Sequence, residues 1–151
     1  MSFLNKVKST FNQGRDALQK EVSKFRNKEF MEATLAACAL IAYADGDVSS
    51  EEKQKMMGFV ENSDELKNFD STQIIETFSG FVGKMQFDIE LGRAECLKVI
   101  GKVREKQDQA RMVIRVAIAI ANSDGNFDNA EKKVVRDIAN DLGLDASEFD
   151  V

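Results

Sequence analysis

The chain has no histidine, no proline and only two cysteines among its 151 residues. Each scarcity removes a class of chemistry or of structure. Without histidine, Ser-His-Asp and Cys-His nucleophilic arrangements are impossible, as are imidazole-ligated zinc sites and Glu-x-x-His di-iron bundles. Cys38 and Cys96 lie too far apart for a Cys-x-x-Cys motif. Each sits in an apolar helical context, which reads as a buried free thiol in a reducing compartment, with a redox role as the alternative. With no proline and nine glycines, little interrupts helices. Few runs alternate apolar and polar residues as strands do. No stretch approaches the ~18–20 apolar residues that span a bilayer. The N-terminus also lacks the continuous apolar core of a secretory signal, so a cytoplasmic location is expected.

What remains is a helical chain of ordinary globular composition, 43% hydrophobic and 31% charged, long enough to bury a real core. Its charge is unevenly spread. Residues 1–28 carry Lys6, Lys8, Arg15, Lys20, Lys24, Arg26 and Lys28 against Asp16 and Glu21, a net of +5. The whole chain is −5, so residues 29–151 carry −10. An acidic body argues against nucleic acid as a partner. The basic arm is open to an anionic membrane surface or an acidic partner.

The arm, residues 1–28, reads as one amphipathic helix. Phe3, Leu4, Val7, Phe11, Leu18, Val22 and Phe25 recur at three- and four-residue steps, with lysines on the other faces. Two readings stand: a helix packed on its own bundle, or one laid on a lipid interface or in a partner groove. Residues 29–151 form the body. Helices are expected over about 28–44, 49–60, 71–86, 88–106, 108–122 and 129–142, giving about seven in all. Asp70 and Asp88 are expected to cap the helices that follow them, and Gly143 to end the last one. The stretch 33–44 is apolar nearly all round, which predicts a central, buried helix, and the helix over about 108–122, with Met112, Val113, Ile114, Val116, Ile118 and Ile120, is again apolar nearly all round.

A shift of 79 residues lays Ile41-Ala42 on Ile120-Ala121, Asp45-Gly46 on Asp124-Gly125, and Glu52-Lys53 on Glu131-Lys132, with apolar Val48 on Phe127. Each half, about 30–62 and 109–142, is thus a buried helix, an Asp-Gly turn and a glutamate opening the next helix. The expected fold is an all-α, compact helical bundle with an internal pseudo-twofold duplication.

Helix punctuation accounts for part of this motif. Glycine permits the positive φ of a turn, and Ser49-x-x-Glu52 and Asp128-x-x-Glu131 are capping boxes. Two features exceed it. Asp45, Asp47, Glu51 and Glu52 place four carboxylates within eight residues, echoed by Asp124, Asp128 and Glu131; a cation would relieve their repulsion. The pattern Asp-Gly-x-apolar-x-x-x-Glu also reproduces the second half of an EF-hand loop. Its first half is missing, so these are not EF-hands. All-oxygen ligation points to calcium, with magnesium or manganese as alternatives. One turn alone supplies too few oxygens and should bind no tighter than about 10⁻⁴ M, whereas two turns brought together would make a stronger shared site.

The paired Asp-Gly turns, each after an alanine-rich helix, and the lysine-bearing start Met1-Ser2-Phe3-Leu4-Asn5-Lys6-Val7 resemble the TerB family of tellurite-resistance proteins. The resemblance implies a compact, duplicated helical fold and a surface acidic cluster that binds metal. It implies a role in tellurite resistance and related stress responses at the inner face of the membrane. It also implies TerC-like integral membrane proteins and TerD-like calcium-binding proteins as partners. Asp45, Gly46 and Glu52, then Asp124, Gly125 and Glu131, match the family motif; Asn126 stands where the first half has Asp47. The resulting expectation is a non-enzymatic divalent-cation-binding adaptor ligated by Asp45, Asp47, Glu52, Asp124, Asp128 and Glu131. Its rivals are a metal-independent interaction module with an acidic surface, and a carboxylate-based metallohydrolase.

Overall fold

The computed structural model describes residues 27–44, 69–122 and 127–151, together with 54, 57, 58 and 66. Among them are five α-helices, a terminal 3₁₀ turn and no strand. The helices are α1 (Lys28–Ala42), α2 (Ser71–Phe87), α3 (Ile89–Gly101), α4 (Gln107–Ala121) and α5 (Asn129–Asp141), followed by the 3₁₀ turn Ala146–Phe149. The basic arm and the helix expected over 49–60 lie largely or wholly outside the described residues.

The helix starts follow from side chains that satisfy free backbone donors. Asn27 Oδ1 accepts from the Phe30 N–H at 2.7 Å, and Asp70 Oδ1 from the Thr72 N–H at 2.9 Å. Asp88 alone separates α2 from α3: its N–H closes α2 on the Lys84 carbonyl, while its carboxylate accepts from the Glu90 and Leu91 N–H groups. Gly143 ends the α5 region at φ +73°, the left-handed conformation that favours glycine.

Helix α1 is the hub, packing on α2, α3, α4 and α5. Phe30, Met31 and every residue from Ala33 to Ile41 are buried, as an apolar circumference requires. The one polar exception, Thr34, donates its hydroxyl to the Phe30 carbonyl at 2.9 Å and so stays satisfied. The core continues through Phe78, Val82 and Met85 of α2, Ile100 of α3, Val113, Ile114 and Ile120 of α4, and Ile138 of α5. Each such large side chain contributes roughly 1.5–3 kcal/mol by leaving water.

The ends of the helices fix their directions. Lys106, just before α4, pairs with Glu29 in the first turn of α1 at 2.9 Å, and Asn27 Nδ2 donates to Gln109 Oε1 at 3.5 Å. Both helices are 15 residues long and pack together, so Ala42 and Ala121 finish at the same end of the molecule. Their starts, Lys28 and Gln107, and their ends are each 79 residues apart. Helix α5 returns the other way, for the Leu142 carbonyl accepts from Gln107 Nε2 at 3.3 Å.

Several boundaries and one face differ from the sequence expectation. Helix α3 stops at Gly101, not near Lys106. Residues 102–105 form tighter turns, with Lys102, Val103, Arg104 and Lys106 each donating to the carbonyl three residues earlier. Helix α1 ends at Ala42 for the same reason, the Ala44 N–H reaching Ile41. Helix α4 begins at Gln107 rather than Asp108, and no side chain caps it. It is also less apolar than expected: Asp108 and Arg115 are exposed and Arg111 and Ile118 half-buried, a solvent stripe at three- and four-residue steps.

The tight α2–α3 hairpin depends on Gly92. A Cβ there would lie 2.6 Å from the Met85 Cα and N, and would also strike Met85 Cγ. Backbone atoms at that distance cannot yield cheaply. Gly92→Ala is therefore expected to lower stability by about 2 kcal/mol, even though alanine ordinarily gains ~1 kcal/mol over glycine within a helix. Gly101→Ala, on the same helix but with nothing within 4 Å of the added carbon, should lose nothing. Urea denaturation of the two variants side by side checks the contrast.

Candidate functional site

The sequence candidates fall into two groups. Asp45, Gly46, Asp47, Glu52, Asp124 and Gly125 lie outside the described residues. Asp128 and Glu131 are described, and they form a reciprocal capping box at the start of α5. Asp128 Oδ1 accepts from the Glu131 N–H at 2.8 Å, and Glu131 Oε1 accepts from the Asp128 N–H at 3.1 Å. Two carboxylates thereby neutralise two backbone donors at the positive end of the helix dipole.

The segment entering this box is anchored on its apolar side. Phe127, two places after the glycine of the second turn, is partly buried against the core, with Lys132 Nζ 6.0 Å from its ring centroid. Asp128 is exposed and Glu131 half-buried, so the carboxylates face outward from an anchored backbone. A capping oxygen retains acceptor capacity, since an ionised carboxylate has about four lone-pair directions on two oxygens. The box therefore fixes the orientation of these groups and is compatible with either capping or ligation.

The wider arrangement is set by α1 and α4. The chain leaves α1 toward Asp45 and leaves α4 toward Asp124 at the same end of the molecule, and α5 begins there with Asp128 and Glu131. Among the described residues, no group of three or more Asp, Glu or Cys side chains forms a metal cluster. No helix among them is long and apolar enough to cross a membrane.

Both thiols are buried, Cys38 at 2% and Cys96 at 0% exposure. Burial pushes the Cys96 thiol up to about 12; the nearby Lys84 opposes that shift and Glu95 adds to it. Such a thiol stays protonated and is a poor nucleophile. Sequence reasoning missed two caps. Asn27 and Asp145 each precede a helix, Asp145 accepting from both the N–H and the hydroxyl of Ser147, which hold its carboxyl below the ordinary aspartate value. The cue in both cases was a short polar residue at a helix start. The 3₁₀ turn is further tied to α4 by Arg111 to Glu148 at 3.1 Å and Arg115 over the Phe149 ring at 6.0 Å.

Residues 31–151 match the family model described as tellurite resistance protein TerB. A relative named tellurium resistance protein TerB, from Alcaligenes sp, is 45% identical over 118 residues, covering 78% of this chain and 97% of that protein. No solved structure matches the chain.

Proposed function

Because this chain belongs to the TerB family of tellurite-resistance proteins, we propose that it serves tellurite resistance as a divalent-cation-binding adaptor acting with membrane-associated partners. The cation is held by Asp45, Asp47 and Glu52 from the first turn and Asp124, Asp128 and Glu131 from the second. The observation that carries this reading is the parallel packing of α1 and α4, which brings their ends, Ala42 and Ala121, to one end of the molecule. The spacing of 79 residues at both ends of these helices supports a duplicated ancestry, with a seven-helix bundle as its outcome. Two turns on one end bring together the six to eight oxygens that calcium takes and that neither turn supplies alone. Magnesium, with its stricter octahedral demand, would bind more weakly.

In this role the basic segment 1–28 and the acidic end serve different contacts. The cation at the acidic end would set which partner docks, and TerC-like membrane proteins and TerD-like calcium-binding proteins are the expected classes. The reading is non-catalytic: the chain has no histidine to serve as a general base.

A calcium titration of the metal-stripped protein, followed by backbone amide NMR, tests it. Saturable shifts centred on Gly46 and Gly125 are expected, reaching saturation together and extending to Asp128 and Glu131. Magnesium and manganese should compete. The absence of any localised shift up to millimolar ion would mean that the carboxylates act as helix caps, leaving a metal-independent module. Its partner binding would then weaken with salt and ignore chelators.

A further inference from the structure

We propose that the corner between α2 and α3 is the docking site for this chain's own N-terminal segment, residues 1–26, whose apolar stripe covers Phe87 and Leu91. Phe87 and Leu91 are the large hydrophobic residues left exposed among the described ones, at 85% and 49%. One ends α2, the other lies in the first turn of α3, and only Asp88, Ile89 and Glu90 separate them. A phenylalanine so exposed gains nothing from the body's own core, and a second exposed apolar side chain lies four residues on at the same corner.

The segment is placed to reach this edge. It enters the body at Asn27, beside the start of α2, where the Phe30 and Phe69 rings lie 6.3 Å apart. From there the 17 residues of α2 lead to the corner, about 25 Å away, while 26 helical residues extend about 39 Å. The outer face of α2 offers a path along Glu76, Gly80, Gly83 and Phe87, at steps of four, three and four. Beside Gly80 and Gly83 an added Cβ would meet nothing within 4 Å, so a second helix can approach closely there.

Charge selects among the occupants. From Asp70 to Leu91 the exposed charges are Asp70, Glu76, Asp88 and Glu90 against Lys84, a net of −3. Residues 1–26 carry Lys6, Lys8, Arg15, Lys20, Lys24 and Arg26 against Asp16 and Glu21, a net of +4, interleaved with the apolar Phe3, Phe11 and Phe25. A second copy of this corner would set −3 against −3, and anionic headgroups would meet the same repulsion. The segment matches both the apolar edge and its acidic flank.

The test uses the full chain in chelator, so that its failure leaves the ion-site reading untouched. A nitroxide is attached to the Ser9→Cys variant; Cys38 and Cys96 are buried and spared. Amide signals from Gly80 to Leu91 should lose most of their intensity relative to the reduced nitroxide. They should recover when Phe87→Ser and Leu91→Ser are added, changes at exposed positions that leave the fold intact. Unchanged intensities at the corner, or broadening that persists in the serine variant, would overturn the proposal. So would broadening transferred from a nitroxide-bearing chain to a separate isotope-labelled one, which marks a second copy. Perturbation of the corner that requires anionic vesicles marks a membrane site and overturns it equally.

Discussion

Replacing Asp45, Asp47, Asp124 and Asp128 together by asparagine is expected to weaken divalent-cation binding at least about a hundredfold and to abolish protection against tellurite, with the fold retained. The choice of asparagine separates the two roles that these residues can have. Asp128 caps α5 through Oδ1, which accepts the Glu131 N–H at 2.8 Å. Asparagine offers the same carbonyl acceptor and is as good an N-cap as aspartate, whereas alanine would lose about 1 kcal/mol. Glu131 is left in place because its carboxylate closes the box on the Asp128 N–H. In chelator, the variant's stability should therefore stay within about 0.5 kcal/mol of the parent, or rise as repulsion is relieved. Calorimetric titration, melting in chelator and growth on tellurite measure the three quantities. If cation affinity and resistance both survive, the acidic turns are caps and nothing more.

Much of the helical frame was legible in the sequence because its punctuation is local. Asp70, Asp88 and Asp128 cap where a short acidic side chain precedes an apolar period, and Gly143 takes the positive φ that its place after α5 demands. The centrality of α1 was readable too, since a helix apolar on every face has nowhere to go but inside. What failed was finer. Over residues 102–105 turns with three-residue bonds have nearly the periodicity of a helix with four-residue bonds, so the end of α3 at Gly101 left no mark in the pattern. The solvent stripe of α4 was overlooked because Arg111 and Arg115 were outweighed by the run from Met112 to Ile120.

Gly92 illustrates a different limit. Its requirement is a distance to Met85 across a hairpin, set by how closely α2 and α3 approach, and no local pattern encodes that. The same holds for the candidate site. Carboxylate crowding and the repeated Asp-Gly spacing were visible in one dimension, and Asp128 and Glu131 take the capping geometry their spacing predicts. That Ala42 and Ala121 finish at one end of the molecule depends on the side-by-side starts of α1 and α4. Those starts rest on Asn27 with Gln109 and Glu29 with Lys106, pairs separated by 82 and 77 residues.

Raising the pH from 9 to 12 is expected to remove roughly 4 kcal/mol of stability through Cys96 alone. The thiol is uncharged when protonated, and burial in α3 penalises the thiolate, lifting the folded-state value to about 12 from an ordinary thiol's 9.0. Below pH 9 both folded and unfolded chains keep the proton, so this residue adds no pH dependence. Above it the unfolded chain releases the proton while the folded chain holds it, so the unfolded state gains about 1.4 kcal/mol per pH unit until the folded thiol also ionises. The measurement is the difference between the parent and a variant lacking the thiol. Urea denaturation of the parent and of Cys96→Ala at intervals from pH 8 to 11 should give curves that diverge above pH 9, the parent falling faster. Parallel curves would mean that the thiol ionises as freely in the folded chain as in the unfolded one. The result bears on function, because attack by sulfur on tellurite or on a disulfide requires the thiolate. A thiol still protonated at pH 10 supplies none, and Cys96→Ala should then protect cells against tellurite as well as the parent.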